Sequence, residues 1–228
     1  MSSAGRLAEP QVEAMFDRIA SVYDPLNAVM TVGMDQRWRE RAVDLAQVAP
    51  GSLALDVACG TGDLAMALAE RGAQVTGVDF AEKMLEIARK KAPRIEFRTG
   101  NALALDFPDN QFDAVTVGFG ARNFDDLGRG LSEMARVVKP GGRVVVLEIT
   151  TPQRPPLSWF FRLWFDRIVP VLGRIAGDPE AYEYLPNSVK RFPGPHDLGG
   201  QMVQAGMTDV RWILTAGGII AIHSGTVA

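Results

Sequence analysis

The sequence predicts an α/β fold in which helices cover both faces of a mostly parallel, seven-stranded sheet. Short apolar runs alternate with helical patterns from residue 53 onward, which is typical of parallel strands joined by helices. A glycine-rich loop separates the first strand from the helix that follows it. The turn between the last two strands is too short for a parallel crossover, so these strands are predicted to form an antiparallel hairpin.

The first 50 residues are predicted to form a helical cap in front of the first strand. Apolar residues such as Val12, Met15 and Ile19 recur at helical spacing between residues 11 and 48. A break around Asp24-Pro25 divides this region into two predicted helices.

The remaining elements follow from apolar runs and the turns between them. The run Leu53–Ala58 ends in glycines before a helical pattern, which predicts a strand, a tight loop and a helix. A turn at Lys139–Gly142 separates a later helix from a β-branched run. Strands are predicted at 53–58, 74–78, 95–99, 112–117, 143–149, 208–214 and 218–226, and helices at 63–71, 81–91, 125–138 and 196–205.

Residues 152–195 depart from this alternation and are predicted to form an insertion that carries substrate specificity. The stretch is rich in aromatic residues, prolines and arginines. The sequence shows no linker, internal repeat or low-complexity tract. It therefore predicts a single domain over residues 1–228.

Composition excludes several classes of function. A net charge of -3 and a pI near 5.5 argue against a nucleic-acid partner. Cys59 is the only cysteine, which excludes an intramolecular disulfide and a zinc site built from cysteines, and no metal is predicted. The sequence has neither a signal-peptide pattern nor an apolar run long enough to span a bilayer, so we expect a cytoplasmic location.

The loop after the first strand is predicted to bind a nucleotide-like cofactor. Gly60 and Gly62 let the backbone approach a ligand closely, and the next helix presents free N–H groups to an anion. Asp79, at the end of the second strand, is placed to accept hydrogen bonds from two ribose hydroxyls. The same residues also fit the dinucleotide pattern G-x-G-x-x-G/A, so the loop alone leaves both cofactor classes open.

Three further features favour S-adenosylmethionine as the cofactor. Asp56, just before the loop, suits a ligand with a cationic amino group better than a pyrophosphate. A helical cap precedes the first strand, and an antiparallel hairpin closes the sheet. The methionine carboxylate would then be the anion at the helix N-terminus. This order of elements predicts a Rossmann-like, class I S-adenosylmethionine-dependent methyltransferase.

Two other segments are predicted to reach the same crevice, because the carboxyl ends of neighbouring parallel strands meet there. Asn101 and Ala102 follow the third strand, and either the Asn101 side chain or the Ala102 backbone can bind the adenine edge. Gly118–Asn123 follows the fourth strand and is expected to line the methyl-transfer side. The alternative for each segment is an ordinary turn.

Over nearly its whole length the sequence resembles the ubiquinone/menaquinone biosynthesis C-methyltransferases. The glycine loop and the segment from Arg136 to Glu148 are shared with this family. Asp35 stands where the family usually has histidine, which removes a titratable group, so Asp35 is assigned no catalytic role. Two shared segments are more specific to the family: Tyr23–Asn27 with Thr31, Gly33 and Arg37–Arg39, and Gly118–Asn123. Three other departures from the family are conservative: Leu26 stands where methionine is usual, and Thr31 and Thr150 stand where serine is usual.

The resemblance implies an enzyme that methylates a ring carbon of a polyprenyl quinol. It also implies Thr61, Asp79, Asn101 and Ala102 as cofactor contacts. Some members that act on both benzoquinols and naphthoquinols have serine where Gly118 stands, so glycine there favours demethylmenaquinol.

Carbon methylation of a quinol requires alignment and the loss of one phenolic proton. Arg122 is predicted to assist, because a guanidinium can hold a phenolate or orient a water that takes the proton. The alternative is a structural arginine paired with Asp125 or Asp126. Tyr23 and Asp24 are predicted to close over the cofactor or to act on the quinol hydroxyl, the alternative being a helix-ending turn with a core tyrosine.

Three other polar residues receive lesser roles. His223 alternates with apolar neighbours in the last strand and is predicted to be structural. His196 begins a helix and is an alternative base. Glu148 ends the fifth strand, where it either faces the crevice or caps a loop.

The insertion is predicted to contact a polyprenyl tail and anionic lipid headgroups, at the inner face of the cell membrane. A helix packed on the sheet would show a similar aromatic stripe. Competing functions are an O- or N-methyltransferase of a soluble metabolite and a catalytically silent cofactor-binding subunit; the oligomeric state is open, a homodimer included. The residues that carry the lipid prediction are Trp159, Phe160, Phe161, Trp164 and Phe165 with Arg154, Arg162 and Arg167.

Overall fold

A seven-stranded sheet with the order β3-β2-β1-β4-β5-β7-β6 forms the centre of the protein. The computed structural model describes residues 9–31, 33–152, 155–164, 167 and 179–228. Strands β1 to β5 are parallel, whereas β7 runs antiparallel to both β5 and β6. The strands are β1 Leu53–Val57, β2 Gln74–Asp79, β3 Glu96–Thr99, β4 Phe112–Gly118, β5 Val138–Ile149, β6 Met207–Thr215 and β7 Ile220–Val227. The predicted sheet and its closing hairpin are confirmed.

Helices cover both faces of this sheet. Side chains alternate along β5, so Val145 and Leu147 join the apolar cluster on one face while Val144 and Val146 join the cluster on the other. Helices α2, α3 and α4 pack on the first face, and α5 and α8 pack on the second. The helices are α1 Glu9–Thr31, α2 Asp35–Ala46, α3 Asp63–Glu70, α4 Glu82–Lys91, α5 Leu127–Val137, α6 Leu157–Leu163, α7 Pro179–Arg191 and α8 Pro195–Gln204.

The predicted break at Asp24-Pro25 is wrong, because α1 continues through Pro25 to Thr31. A proline inside a helix removes one backbone hydrogen bond. Here α1 buries an apolar stripe that includes Met15 against the rest of the protein, and this packing outweighs the local penalty. The cap divides instead at Gly33, whose φ of +69° lies in the left-handed region that favours glycine.

The predicted boundary of the fifth strand also shifts. Strand β5 begins at Val138 rather than at residue 143, so Lys139–Gly142 lies inside the strand as an irregularity instead of forming a separate turn. Gly142 fits tightly there, because a Cβ atom on it would lie 2.7 Å from the Asp113 carbonyl oxygen. The register against β4 shifts between Phe112 and Ala114 at the same place.

The insertion contributes α6 and α7, and it packs against the cap. Phe161 of α6 and Tyr184 of α7 are buried in one cluster with Met15 and Ile19 of α1. None of the helices in the described ranges is long and apolar enough to cross a membrane. Arg154 and Phe165 lie outside the described residues, as do the side chains of Phe160 and Arg162.

Candidate active site

The loop between β1 and α3 brings backbone N–H groups to the carboxyl edge of the sheet. Gly60 and Gly62 have φ values of +53° and +86°, which bend the chain sharply toward α3. A Cβ atom on Gly62 would lie 2.9 Å from the Phe97 ring, so the loop also packs closely on its neighbour. The loop thus leads directly into α3, whose first N–H groups have no acceptor within the helix, as the prediction of an anion site requires.

Asp79 anchors this loop from the end of β2. Its Oδ2 accepts a hydrogen bond from the Gly60 N–H at 2.8 Å, and its Oδ1 accepts one from the Ala81 N–H at 2.9 Å. Each carboxylate oxygen has a second acceptor site, so the group can also accept from two ribose hydroxyls. Burial raises the pKa of Asp79 to about 6.

Asp79 lines a small cavity together with Asn101 and Ala102. The Asn101 Oδ1 accepts a hydrogen bond from the Leu103 N–H at 2.7 Å and so shapes the loop after β3. These are the residues predicted to contact the nucleoside part of the cofactor, and that contact stays a prediction. The cofactor contacts predicted on three separate strands and loops thus meet at one edge of the sheet.

For two predicted cofactor residues, Asp56 and Gly118, the contacts in the structure are with other parts of the protein core. Asp56 is buried in β1, where its Oδ1 accepts a hydrogen bond from the Thr116 hydroxyl at 2.7 Å, and burial raises its pKa to about 7. The Ala65 N–H at the start of α3 interacts with this carboxylate and partly offsets the rise in pKa, while Oδ2 has no well-aligned hydrogen bond within the described part of the chain. A Cβ atom on Gly118 would lie 3.0 Å from Leu64, so glycine there permits close packing of β4 on α3. Direct cofactor contact by either residue stays a prediction.

A second cavity, of about 290 Å³, lies between the cap, the insertion and the end of the sheet. Its walls are mostly apolar and come from α1, α2, α6, α7 and the segment around Ile219. Phe119 lines it with an unusual positive φ of +59° and packs edge-on against Trp38. The polar side chains in its walls are Tyr23, Asn27, Thr31, Asp35, Arg39, Arg122 and Tyr184.

Arg122 is held in the wall of this cavity by Glu148. Its Nη1 lies 2.8 Å from the Glu148 Oε1, and its backbone N–H donates to the Glu148 Oε2 at 3.2 Å. Burial by itself would lower the pKa of Arg122, but the Glu148 carboxylate raises it above its ordinary value, so the guanidinium stays charged. The predicted alternative partner Asp126 instead caps α5 by accepting a hydrogen bond from the Arg129 N–H.

Comparison with known proteins decides the family. A model of the ubiE/COQ5 methyltransferase family matches residues 5–227. The chain belongs to this family. A demethylmenaquinone methyltransferase from Thermus thermophilus is 49% identical over 218 residues, which cover 92% of this chain and 99% of the relative. One from Desulfitobacterium hafniense is 41% identical over 236 residues, covering 99% and 93%.

Solved structures confirm the predicted fold class of this methyltransferase. A possible histamine N-methyltransferase from Thermotoga maritima matches with a TM-score of 0.68 at 20% identity, over 94% of this chain and 99% of that one. The [4+2]-cyclase SpnF matches with a TM-score of 0.69 at 19% identity, over 95% of each chain. Identities this low show the fold alone. Family and fold together confirm the predictions of a methyltransferase and of S-adenosylmethionine as its cofactor.

Tyr23 and Asp24 of the methyltransferase point to different parts of the site. Tyr23 lines the apolar cavity and packs edge-on against Phe16. Asp24 accepts a hydrogen bond from the Thr61 hydroxyl at 2.6 Å, and its other oxygen lies 2.9 Å from the Lys91 ammonium. The predicted catalytic pair is therefore divided between the cavity and the cofactor loop.

Sequence reasoning missed the charged network that joins the cap to the cofactor loop. Lys91 of α4 bridges Asp24 of α1 and Asp63 of α3. The other Asp63 oxygen lies 3.3 Å from Arg39 of α2, which also pairs with Asp35. Apart from the Asp35–Arg39 pair, which lies four residues apart in α2, these contacts join residues far apart in sequence, so periodicity and spacing carry no signal for them.

The two histidines have different environments, and neither lines the cavity. His223 is fully buried, its Nε2 lies 2.8 Å from the Pro195 carbonyl oxygen, and its ring stacks on Trp212. Burial lowers the pKa of His223. Its predicted structural role is confirmed. The His196 side chain is 92% exposed at the start of α8, so the structure does not support it as a base in this cavity.

Proposed function

We propose that this methyltransferase transfers the methyl group of S-adenosylmethionine to a ring carbon of reduced demethylmenaquinone. The observation that carries the proposal is a charged, buried Arg122 in the wall of a mostly apolar cavity, beside the cofactor crevice. Curated relatives at 49% and 41% identity are named demethylmenaquinone methyltransferases. An aromatic quinol suits such apolar walls, and its hydroxyls need the few polar groups set into them.

We assign the cofactor to the loop and strand ends described above. Gly60, Thr61 and Gly62 would lie along its methionine part, Asp79 would hold the ribose, and Asn101 with Ala102 would contact the base. When bound, S-adenosylmethionine supplies an electrophilic methyl group.

Arg122 would stabilise the phenolate that forms as the quinol loses its proton. Negative charge on the phenolate oxygen makes the ring carbon a better nucleophile, and a preorganised guanidinium in a site that excludes water stabilises that charge strongly. Bound S-adenosylmethionine would supply the methyl group to that carbon, which would then lose its hydrogen as a proton while the phenolate oxygen regains one. The products are the methylated quinol, S-adenosylhomocysteine and one proton. Apolar side chains such as Phe16 and Phe161 would exclude water during this step.

We further propose that the protein binds the membrane surface through α6, because the quinol tail is lipid-soluble. Trp159 and Leu163 lie one helical turn apart and are 62% and 56% exposed, whereas Phe161 of the same helix is buried. Co-sedimentation with anionic vesicles tests this, with Trp159→Ser/Leu163→Ser expected to reduce binding. Trp212→Ser, at a 38% exposed tryptophan of β6, is the matched control. Equal binding of all three proteins would contradict the proposal.

The decisive experiment incubates the pure protein with methyl-labelled cofactor and demethylmenaquinone, with and without chemical reduction. We expect label on a ring carbon of the product only when the quinone is reduced, because the oxidised ring is electron-poor and has no phenolic proton. Equal rates on both redox forms would contradict the proposed nucleophile. Label on oxygen would instead indicate an O-methyltransferase, and no transfer to the quinol would leave a soluble metabolite or a silent subunit as the better account.

A further inference from the structure

The insertion helix α7 contributes a hydroxyl group to the cavity. Tyr184 is 8% exposed and lines the cavity, and its hydroxyl donates a hydrogen bond to the Asn123 Oδ1 at 3.1 Å. The Arg191 guanidinium lies over its ring at 5.8 Å from the centroid. The phenol is thus fixed at both its hydroxyl and its ring.

Tyr184 also lies in the electrostatic surroundings of Arg122. Tyr23 and Tyr184 both lie close enough to Arg122 to interact with its charge, which Glu148 balances. Asn123, which accepts the Tyr184 hydrogen bond, directly follows Arg122 in the chain. Polar groups from the insertion and from the end of β4 therefore meet at one region of an apolar cavity.

A quinol brings two hydroxyl groups into this cavity, on opposite sides of its ring. Arg122 accounts for one of them in the proposed function, and a second buried hydroxyl without a partner is costly. The Tyr184 oxygen donates its own proton to Asn123, and a phenolic oxygen can accept a hydrogen bond at the same time.

We propose that Tyr184 binds the quinol hydroxyl that Arg122 does not hold, and so orients the ring for methyl transfer. This inference rests on the proposed function. It makes the insertion part of the active site as well as a wall for the tail. Ring orientation then depends on two anchors from elements that are far apart in the chain, the turn after β4 and helix α7.

The test compares two substrates and two enzymes. The substrates are reduced demethylmenaquinone and a naphthol with the same tail that lacks the second hydroxyl; the enzymes are the wild type and Tyr184→Phe. We expect the substitution to lower kcat/KM for the quinol by about 10- to 100-fold and to change it less than about 3-fold for the naphthol. This pattern indicates a direct hydrogen bond between the Tyr184 hydroxyl and the second hydroxyl of the quinol, because the loss of one group then matters only when the other is present.

Ser188→Ala is the matched control. Ser188 is buried one turn further along α7, and its hydroxyl donates to the Leu185 carbonyl oxygen of the same helix. We expect it to leave the ratio between the two substrates unchanged. Calorimetric titration with S-adenosylmethionine verifies that each variant is folded. Should Tyr184→Phe fail to bind the cofactor, Asn123→Ala removes the group that orients the phenol, and the same dependence on substrate is expected.

The outcomes separate the two proposals. No methylation of the quinol by the wild type would contradict the proposed function. An active wild type with equal losses for quinol and naphthol in Tyr184→Phe, or with no loss for either, would overturn the role of Tyr184 and leave the proposed function intact.

Discussion

The cofactor side and the cavity side of this active site are built in different ways. The cofactor side uses the backbone of one short loop, with positive φ at Gly60 and Gly62, and Asp79 anchors that loop through the Gly60 N–H. The cavity side uses side chains from α1, α2, α6, α7 and the ends of β4 and β5. A site made of local backbone geometry is visible in a sequence, whereas a site assembled from distant side chains is visible only in the fold.

The largest expected effect is on kcat and comes from substitutions of Arg122, which disrupt the cavity side and leave the cofactor side intact. Arg122→Ala should reduce kcat by about two to three orders of magnitude, the size found when one transition-state donor is removed. Arg122→Lys should keep part of the rate, because an ammonium retains the charge but loses the planar fork. The affinity for S-adenosylmethionine, measured by calorimetry, should not change.

Arg122→Ala also leaves the buried Glu148 carboxylate without its partner, so its melting temperature should fall. The double variant Arg122→Met/Glu148→Gln removes both charges and should recover stability but not rate. If rate recovers with stability in the double variant, Arg122 is structural and the cavity needs another catalytic group.

The second prediction concerns Asp79 on the cofactor side and the affinity for S-adenosylmethionine. Asp79→Ala should weaken S-adenosylmethionine binding by about 100-fold or more, because each hydrogen bond to a charged acceptor contributes roughly 1.5–3 kcal/mol. Asp106→Ala, at an exposed carboxylate, is the control. Calorimetric titration gives both dissociation constants. Similar affinities in two folded variants would show that the ribose is held elsewhere.

A third prediction concerns pH. Because burial raises the pKa of Asp79 to about 6, the carboxylate gains a proton as pH falls through that value and becomes a weaker acceptor for hydroxyls. S-adenosylmethionine affinity should therefore fall by about 10-fold between pH 7 and pH 5, given ~1.4 kcal/mol per pKa unit. Asp79→Asn should bind weakly with no such step. A step that persists in Asp79→Asn would assign the titration to Asp56.

The raised pKa values of Asp56 and Asp79 have the opposite effect on the free energy of unfolding, which they increase at low pH. A folded-state pKa above the ordinary 3.8 means that the folded protein binds more protons than the unfolded chain between about pH 4 and pH 7. The contributions of Asp56 and Asp79 to the free energy of unfolding are therefore present at acid pH and lost as pH rises. Asp56→Asn should flatten this decline in denaturant titrations. If the free energy of unfolding depends on pH equally in Asp56→Asn and the wild type, the pKa of Asp56 is not raised in the folded protein.

The smallest expected effect tests how the two sides are joined. Asp24→Asn and Lys91→Met remove a partly exposed ion pair beside the cofactor loop, and pairs of this kind contribute about 0.2–1 kcal/mol. Cofactor affinity should weaken less than about 5-fold in either variant, and kcat should stay within the same range. A loss of kcat beyond 100-fold in Asp24→Asn alone would restore the predicted catalytic role of Asp24.

Sequence reasoning succeeded where the determinants are local. Strand periodicity and the Gly60–Gly62 spacing predicted the sheet and brought Asp79, Asn101 and Ala102 to one edge. It failed where packing outweighs a local preference, as at Pro25 inside α1. It identified Arg122 but not Glu148 as its ion-pair partner, 26 residues away, because register across β4 and β5 decides that contact. The position of Tyr184 was not predicted either, because its contact with Asn123 depends on how α7 packs against the turn after β4.

Helix α1 presents consecutive residues to both sides of the site, Tyr23 to the cavity and Asp24 to Thr61 of the cofactor loop. Neighbouring residues of one rigid helix cannot move independently. Any displacement of α1 near these residues would therefore disturb both the cavity wall and the Asp24 contact with the loop, and a bound cofactor that steadies the loop would steady the cavity wall as well. We therefore expect occupancy of the cofactor loop and packing of the cavity wall to depend on each other, with α1 as the physical connection between them.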